Sequence, residues 1–166
     1  HGPAAARRGG QFAQRITGQR PRGYRSPSWE LSANSLDLLK ERDFVYDSSL
    51  MGNDIPYFVD AEGGQMVELP VHWSLDDAPF YNYSPVAGRT SPMSTPPAVL
   101  EAWKWEFDGA LRLNRSFMLT MHPHISGRLA RLVALEKLIT YIRTHPGVEF
   151  MRCIDVAQRW TDEGMR

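Results

Sequence analysis

Apolar residues along this chain follow two rhythms that alternate: short clustered runs, and longer stretches that repeat every three or four positions. A first short strand is expected near Gly23 to Arg25. The next stretch is helical, since Ser32 is a good N-cap, Leu36, Leu38 and Leu39 supply an apolar face, and the pattern ends near Asp43. Phe44-Val-Tyr-Asp47 reads as a strand closing in the polar Ser48 and Ser49. Met66 to Val71 reads as a third, entered from the turn-forming Glu62, Gly63 and Gly64. Asp76 to Ser94 is rich in Pro, Ser, Tyr and Gly. It reads as a long irregular loop of the length used for lids and binding loops, with Phe80, Tyr81 and Tyr83 available to line a groove.

The clearest helix follows, with Thr95 as N-cap, Pro96 at the first helical position, and Leu100, Trp103, Phe107, Ala110 and Leu111 along one face. Trp103 and Trp105 lie two apart, so one faces the core and the other does not. Phe117 to Met121 is continuously apolar, as in a strand covered on both sides. A helix carrying Leu132, Leu135, Ile139 and Ile142 stops at Pro146-Gly147, before a strand from Val148 to Met151 and a helix from Ile154 to Thr161. This rhythm is that of an α/β protein with a mainly parallel sheet, either open or a (β/α) barrel. A full eight-stranded barrel takes about 250 residues, so a barrel here would be partial.

Composition narrows the function classes. The 166 residues suit one domain with a real core, and 13 glycines and 12 prolines are too few for a disordered chain. Basic and acidic residues balance at 19 each, so no global field favours nucleic acid, and none is expected as a partner. Six arginines and no acid precede Glu30, which reads as a solvated helix end and loop. One cysteine cannot form an internal disulfide, and no apolar run is long enough to span a bilayer. No signal segment is visible, which gives a cytoplasmic expectation, although the chain opens on His1 and not on Met. Residues 1–14 are expected to form an irregular remnant ahead of a domain covering 15–166.

In a parallel α/β architecture, chemistry collects at the carboxyl ends of the strands. The residues there are Arg25 with Ser26-Pro-Ser-Trp29, Asp47 with Ser48, His72 and Trp73 leading to Asp76 and Asp77, and His122-Pro-His124. A cation, carboxylates and imidazoles on one rim suit acid/base chemistry on a polar substrate. His122 is either catalytic or ligating, or else bonds a loop carbonyl. With His124 and His72 it could hold zinc, although Pro123 argues against an extended ladder. Asp76 and Asp77 bind a metal or turn a loop; neighbours on a chain point apart, which favours the turn. His145 reads as a helix-end cap charge, and Cys153 as a packed thiol.

Four segments together carry a resemblance: Thr17-Gly-Gln-Arg-Pro-Arg-Gly-Tyr-Arg-Ser-Pro-Ser-Trp29, Phe44-Val-Tyr-Asp-Ser-Ser49, Glu68-Leu-Pro-Val-His-Trp73 and Leu119-Thr-Met-His-Pro123. In order and spacing, from roughly Arg15 to Trp160, they resemble the later motifs of the polysaccharide deacetylases, the NodB-homology family. The nearest subgroup includes peptidoglycan deacetylase-like and allantoinase-like proteins. The resemblance implies the C-terminal part of an irregular (β/α) barrel that hydrolyses N-acetyl or related amide bonds with a divalent metal, commonly zinc. Its substrate would be an N-acetylated polysaccharide or a small amide. It assigns Arg25 the orientation of a catalytic aspartate base, and His122 the role of general acid toward the leaving amine. Trp29 and Leu119 match apolar positions near the acetyl pocket, while Asp47, His72 and Trp73 fall in segments that shape the substrate groove.

The family's paired adjacent aspartates and its two histidines separated by three residues are absent from this sequence, with His1 at most a relic of the latter. The metal ligands and the base are therefore expected outside this chain, which should be inactive alone. A carbohydrate-binding remnant and an allantoinase-like amidohydrolase are the alternatives. Part of a barrel should also leave strand edges and apolar faces open, favouring aggregation or a homo-oligomer.

Overall fold

The computed structural model describes residues 12–163, and the chain divides into two compact units, one running to Pro70 and resuming at Met151, the other comprising Val71–Phe150. His1 and most of the expected irregular stretch lie outside the described residues; residues 12–17 are helical.

The first unit is built on a four-stranded sheet of β1 (Gly23–Tyr24), β2 (Tyr46–Asp47), β3 (Tyr57–Ala61) and β4 (Gly64–Glu68). The strand order is β1-β2-β4-β3, parallel from β1 through β4 and antiparallel between β4 and β3, so the sheet is mixed and open, with β1 and β3 at its edges. Strand β3 is absent from the sequence reading, which began at Met66. It forms a hairpin with β4 around Glu62 and Gly63, where Gly63 and Gly64 take φ of 86° and 125°, a region that glycine enters without a Cβ penalty. Helix α1 (Ser35–Glu41) packs on β3 and β4, and α6 (Cys153–Asp162) packs on β4. Met66, Val67 and Glu68 are all buried, so β4 reads as an apolar run and not as an alternating strand. Leu39, Leu69, Trp29 and Ala157 are buried in this unit as well.

Parallel pairing of β1 with β2 brings Gly23 against the Tyr46 ring. A Cβ on Gly23 would stand 1.9 Å from Tyr46 Cζ, so no larger residue fits without moving the ring.

The second unit contains α2 (Ala78–Tyr81), α3 (Pro96–Leu113), α4 (Pro123–Ser126) and α5 (Leu129–Arg143). As expected, α3 opens on Thr95, whose Oγ1 accepts from Ala98 N, with Pro96 next; it closes on Asn114 in the left-handed region. Val99, Trp103 and Phe107 pack with Leu75, Tyr81, Ile125, Leu138 and Ile142. Trp103 is 2% exposed and Trp105 71%, the division expected from their spacing.

Several expectations need correction. The buried face of α5 is Ala134, Leu138 and Ile142, leaving Leu132 and Ile139 exposed, because a stretch apolar nearly all round does not by itself fix which stripe packs. Phe117–Met121 is not a regular strand: it makes one parallel bridge, Thr120 with Asp76, and Phe117 and Leu119 pack on the helical core. Val148–Met151 has no strand pairing. The loop from Asp76 to Ser94 contains α2 and a 3₁₀ turn at Pro85–Ala87.

Replacing Gly23 by Ala should destabilise the first unit by about 1–3 kcal/mol, the usual cost of overpacking. Chemical denaturation would check this, and an unchanged midpoint would show that the Tyr46 ring yields freely.

Candidate functional site

In the second unit the bridge between Asp76 and Thr120 sets the geometry. Thr120 N donates to Leu75 O at 2.7 Å and Asp77 N donates to Thr120 O at 3.2 Å. This pairing carries Asp77 to the residues following Thr120, although 45 positions separate Asp77 from His122. The His122 ring then meets the Asp77 carboxylate, Nδ1 to Oδ1, at 2.6 Å. Asp77 is fully buried, and its other oxygen accepts from His122 N at 2.9 Å and from Ser126 Oγ at 2.5 Å. Three donors thus hold one buried carboxylate, which is what its removal from water requires. With Nδ1 committed to Asp77, the His122 side chain remains 39% exposed and Nε2 is the ring nitrogen left for chemistry. His122 is also the residue on which α4 begins, and Pro123 starts that helix.

Asp76 adds a second carboxylate: its Oδ1 accepts from Ala78 N at 2.6 Å and lies 3.8 Å from His122 Nδ1. Asp76, Asp77 and His122 each offer a ligand atom within 4.8 Å of the others, the only such group among the described residues. Asp77 Oδ1 and His122 Nδ1 are already bonded to each other, so a cation held by those two atoms would have to break that hydrogen bond. The group fits an oriented imidazole better than a metal cage.

The first unit gathers a different set. Arg25 Nε donates to Ser48 O at 3.0 Å and its Nη2 to Ser48 Oγ at 2.7 Å, while Ser48 Oγ donates to Leu69 O at 2.7 Å. Beside this lie two fully buried acids, Asp47 and Glu68, paired across β2 and β4. Glu68 Oε1 accepts from the backbone N–H of Ser49 and of Leu50, both at 2.9 Å. Ser49 Oγ donates to Asp47 Oδ1 at 3.0 Å and accepts from Ser26 N at 2.9 Å. Burial raises the carboxyl of Asp47. It raises that of Glu68 to about 8, with the Asp47 charge adding to the effect. Tyr46 is pushed to about 12, first by burial and then by Cys153, to which it is hydrogen-bonded.

The other candidates have local roles on display. His72 caps the 3₁₀ turn Trp73–Leu75, its Nδ1 accepting from Ser74 N, and it does not join His122. The ring of His124 lies 5.7 Å from that of His122, and His124 is outside the cluster of possible ligands. Trp73 is 45% exposed, Trp29 is buried with φ of 58°, and Leu119 packs on the second unit's core. His145 Nδ1 meets Tyr141 O at 3.0 Å at the end of α5, as the cap reading expects. Glu68 was given no role by sequence reasoning, and Asp77, read as a metal ligand or a loop turn, was not foreseen as the partner of His122. For Asp77 the adjacent Asp76 suggested a turn; for Glu68 the only signal was an acid inside an apolar strand run.

No family model matches the chain. A peptidoglycan deacetylase of Helicobacter pylori is 30% identical over 168 residues, covering 86% of this chain and 57% of that protein. A crystal structure from Mycobacterium smegmatis, described as a polysaccharide deacetylase, superposes with a TM-score of 0.94 at 32% identity, covering 99% of this chain and 57% of that one. Puue allantoinase shares the fold, with a TM-score of 0.83 at 23% identity over 96% of this chain and 52% of its own. The chain thus spans a little over half the length of these relatives, and the expected partial α/β fold of the NodB-homology kind holds. In sequence and in fold alike, the chain resembles the polysaccharide deacetylases.

Proposed function

We propose that the protein to which this chain belongs hydrolyses carbon–nitrogen amide bonds, removing acetyl groups from an N-acetylated polysaccharide, and that this chain supplies its general acid. The observation that carries the reading is the 2.6 Å bond from Asp77 Oδ1 to His122 Nδ1. It fixes the ring's orientation and keeps a proton on Nδ1, leaving Nε2 to act. When the amide C–N bond breaks, Nε2–H donates its proton to the departing nitrogen, so the product leaves as a neutral amine, while Nδ1–H stays bonded to Asp77. Arg25, fixed by two bonds to Ser48, has the forked geometry to orient a carboxylate base. Addition to the amide carbon falls to groups outside this chain, among them the base and the divalent cation, commonly zinc, that the resemblance implies. Asp76, Asp77 and His122 do not fit that cation while Asp77 and His122 bind each other, and no step is assigned to them as ligands.

In a polypeptide carrying the whole catalytic domain, His122→Ala should lower acetate release from N-acetylated glycan about 10²–10⁴-fold, with Asp77→Asn following it in direction. Acetate release unaffected by His122→Ala would remove the general-acid assignment, and turnover of ureides without acetate release would move the substrate to the allantoinase-like class. For the chain alone, excess zinc should leave the melting temperature unchanged. A rise abolished by Asp76→Asn would put the cation on this group after all.

A further inference from the structure

The mechanism uses neither Asp47 nor Glu68, yet both are 0% exposed, and two buried acids side by side require an explanation. Their outer oxygens, Asp47 Oδ2 and Glu68 Oε2, find no donor among the N–H and hydroxyl groups of the described residues. The other two carboxyl oxygens are occupied, Glu68 Oε1 by Ser49 N and Leu50 N and Asp47 Oδ1 by Ser49 Oγ. Two ionised carboxylates in that position would repel with nothing between them, whereas one proton satisfies both orphaned oxygens.

We propose that Asp47 and Glu68 are positioning residues acting as one unit, in which a proton held between Asp47 Oδ2 and Glu68 Oε2 locks the Ser48–Leu50 turn and, through Ser48, the Arg25 guanidinium. The bonds form a continuous path. Glu68 accepts from Ser49 N and Leu50 N, Asp47 accepts from Ser49 Oγ, and Ser49 Oγ accepts from Ser26 N, next to Arg25. Ser48, inside the same turn, holds Arg25 by its carbonyl and its hydroxyl. The other ionisable groups around the pair are Tyr57 on β3, whose phenol is raised by burial and further by both acids, Arg25 after β1, and the Tyr46–Cys153 pair from β2 and α6. None offers a cation to Glu68 itself. The carboxyl pair does not depend on the amide-hydrolase reading; only the catalytic value of a fixed Arg25 rests on it.

The pH sign follows from proton counting. The unfolded chain releases the Glu68 proton near 4.5, while the folded protein keeps it to about 8. Across that window the folded state binds the extra proton, so stability falls as pH rises and levels off above about 8. The experiment is a pH series of melting temperatures on this chain and on Glu68→Gln, whose amide donates to Asp47 without titrating. Alongside it, carbon-13 NMR would follow the Glu carboxyls and nitrogen-15 NMR the Arg25 Nε–H. One Glu carboxyl should titrate near 8 and vanish in Glu68→Gln, the wild-type melting temperature should fall more steeply across the window than the variant's, and the Arg25 signal should move with the same titration only in the wild type. All Glu carboxyls titrating in the ordinary range, equal slopes for the two proteins, or an Arg25 signal indifferent to that titration would overturn the proposal. These readouts need no substrate, so their failure is distinct from failure of the hydrolase reading.

Discussion

A carboxylate taken out of water must be met by donors, and in this protein that requirement shapes both units. Asp77 gathers three donors from residues 45 and 49 positions away, and Glu68 gathers two backbone N–H groups from the turn that follows β2. In each case the acid lies at the end of an extended segment and its donors come from the neighbouring segment. The backbone pairing and the polar network therefore support one another: losing the Asp76–Thr120 bridge would separate Asp77 from His122, and slipping β2 against β4 would separate Asp47 from Glu68.

The two networks differ in what they leave to solvent. Asp77 is buried with three donors while the side chain of its partner His122 is 39% exposed, an arrangement suited to passing a proton outward. Asp47 and Glu68 are both sealed, so their proton serves geometry and not transfer. The same chemical ingredient, a carboxyl beside a second ionisable group, thus underlies the proposed proton donation in one unit and the proposed rigidity in the other, with exposure as the deciding variable.

The chain spans 57% of the Helicobacter pylori deacetylase and of the Mycobacterium smegmatis structure, and its surface is consistent with a part of such a fold. Leu129, Val133 and Trp105 stand exposed on the helices of the second unit, and β1 and β3 leave the sheet of the first unit open at both edges. No helix among the described residues is long and apolar enough to cross a membrane.

Much of the fold was legible in local signals. Thr95 and Pro96 marked the start of α3, the spacing of Trp103 and Trp105 decided which is buried, and Glu62-Gly63 marked a turn, because caps, helical periodicity and positive φ are properties of a few adjacent residues. The positions of Arg25 and Asp47 at strand ends, and of His122 after an apolar run, were likewise marked by where apolar runs stop. The choice of packed stripe on α5, the pairing of β3 and the loss of a regular strand at Phe117–Met121 depended on neighbours far along the chain, which periodicity does not encode. The partners of the acids were hidden for the same reason: whether Asp77 turns a loop or holds His122, and whether Glu68 is a stray charge or half of a proton-sharing pair, is decided by groups 18 to 49 residues distant, which only tertiary packing brings within bonding range.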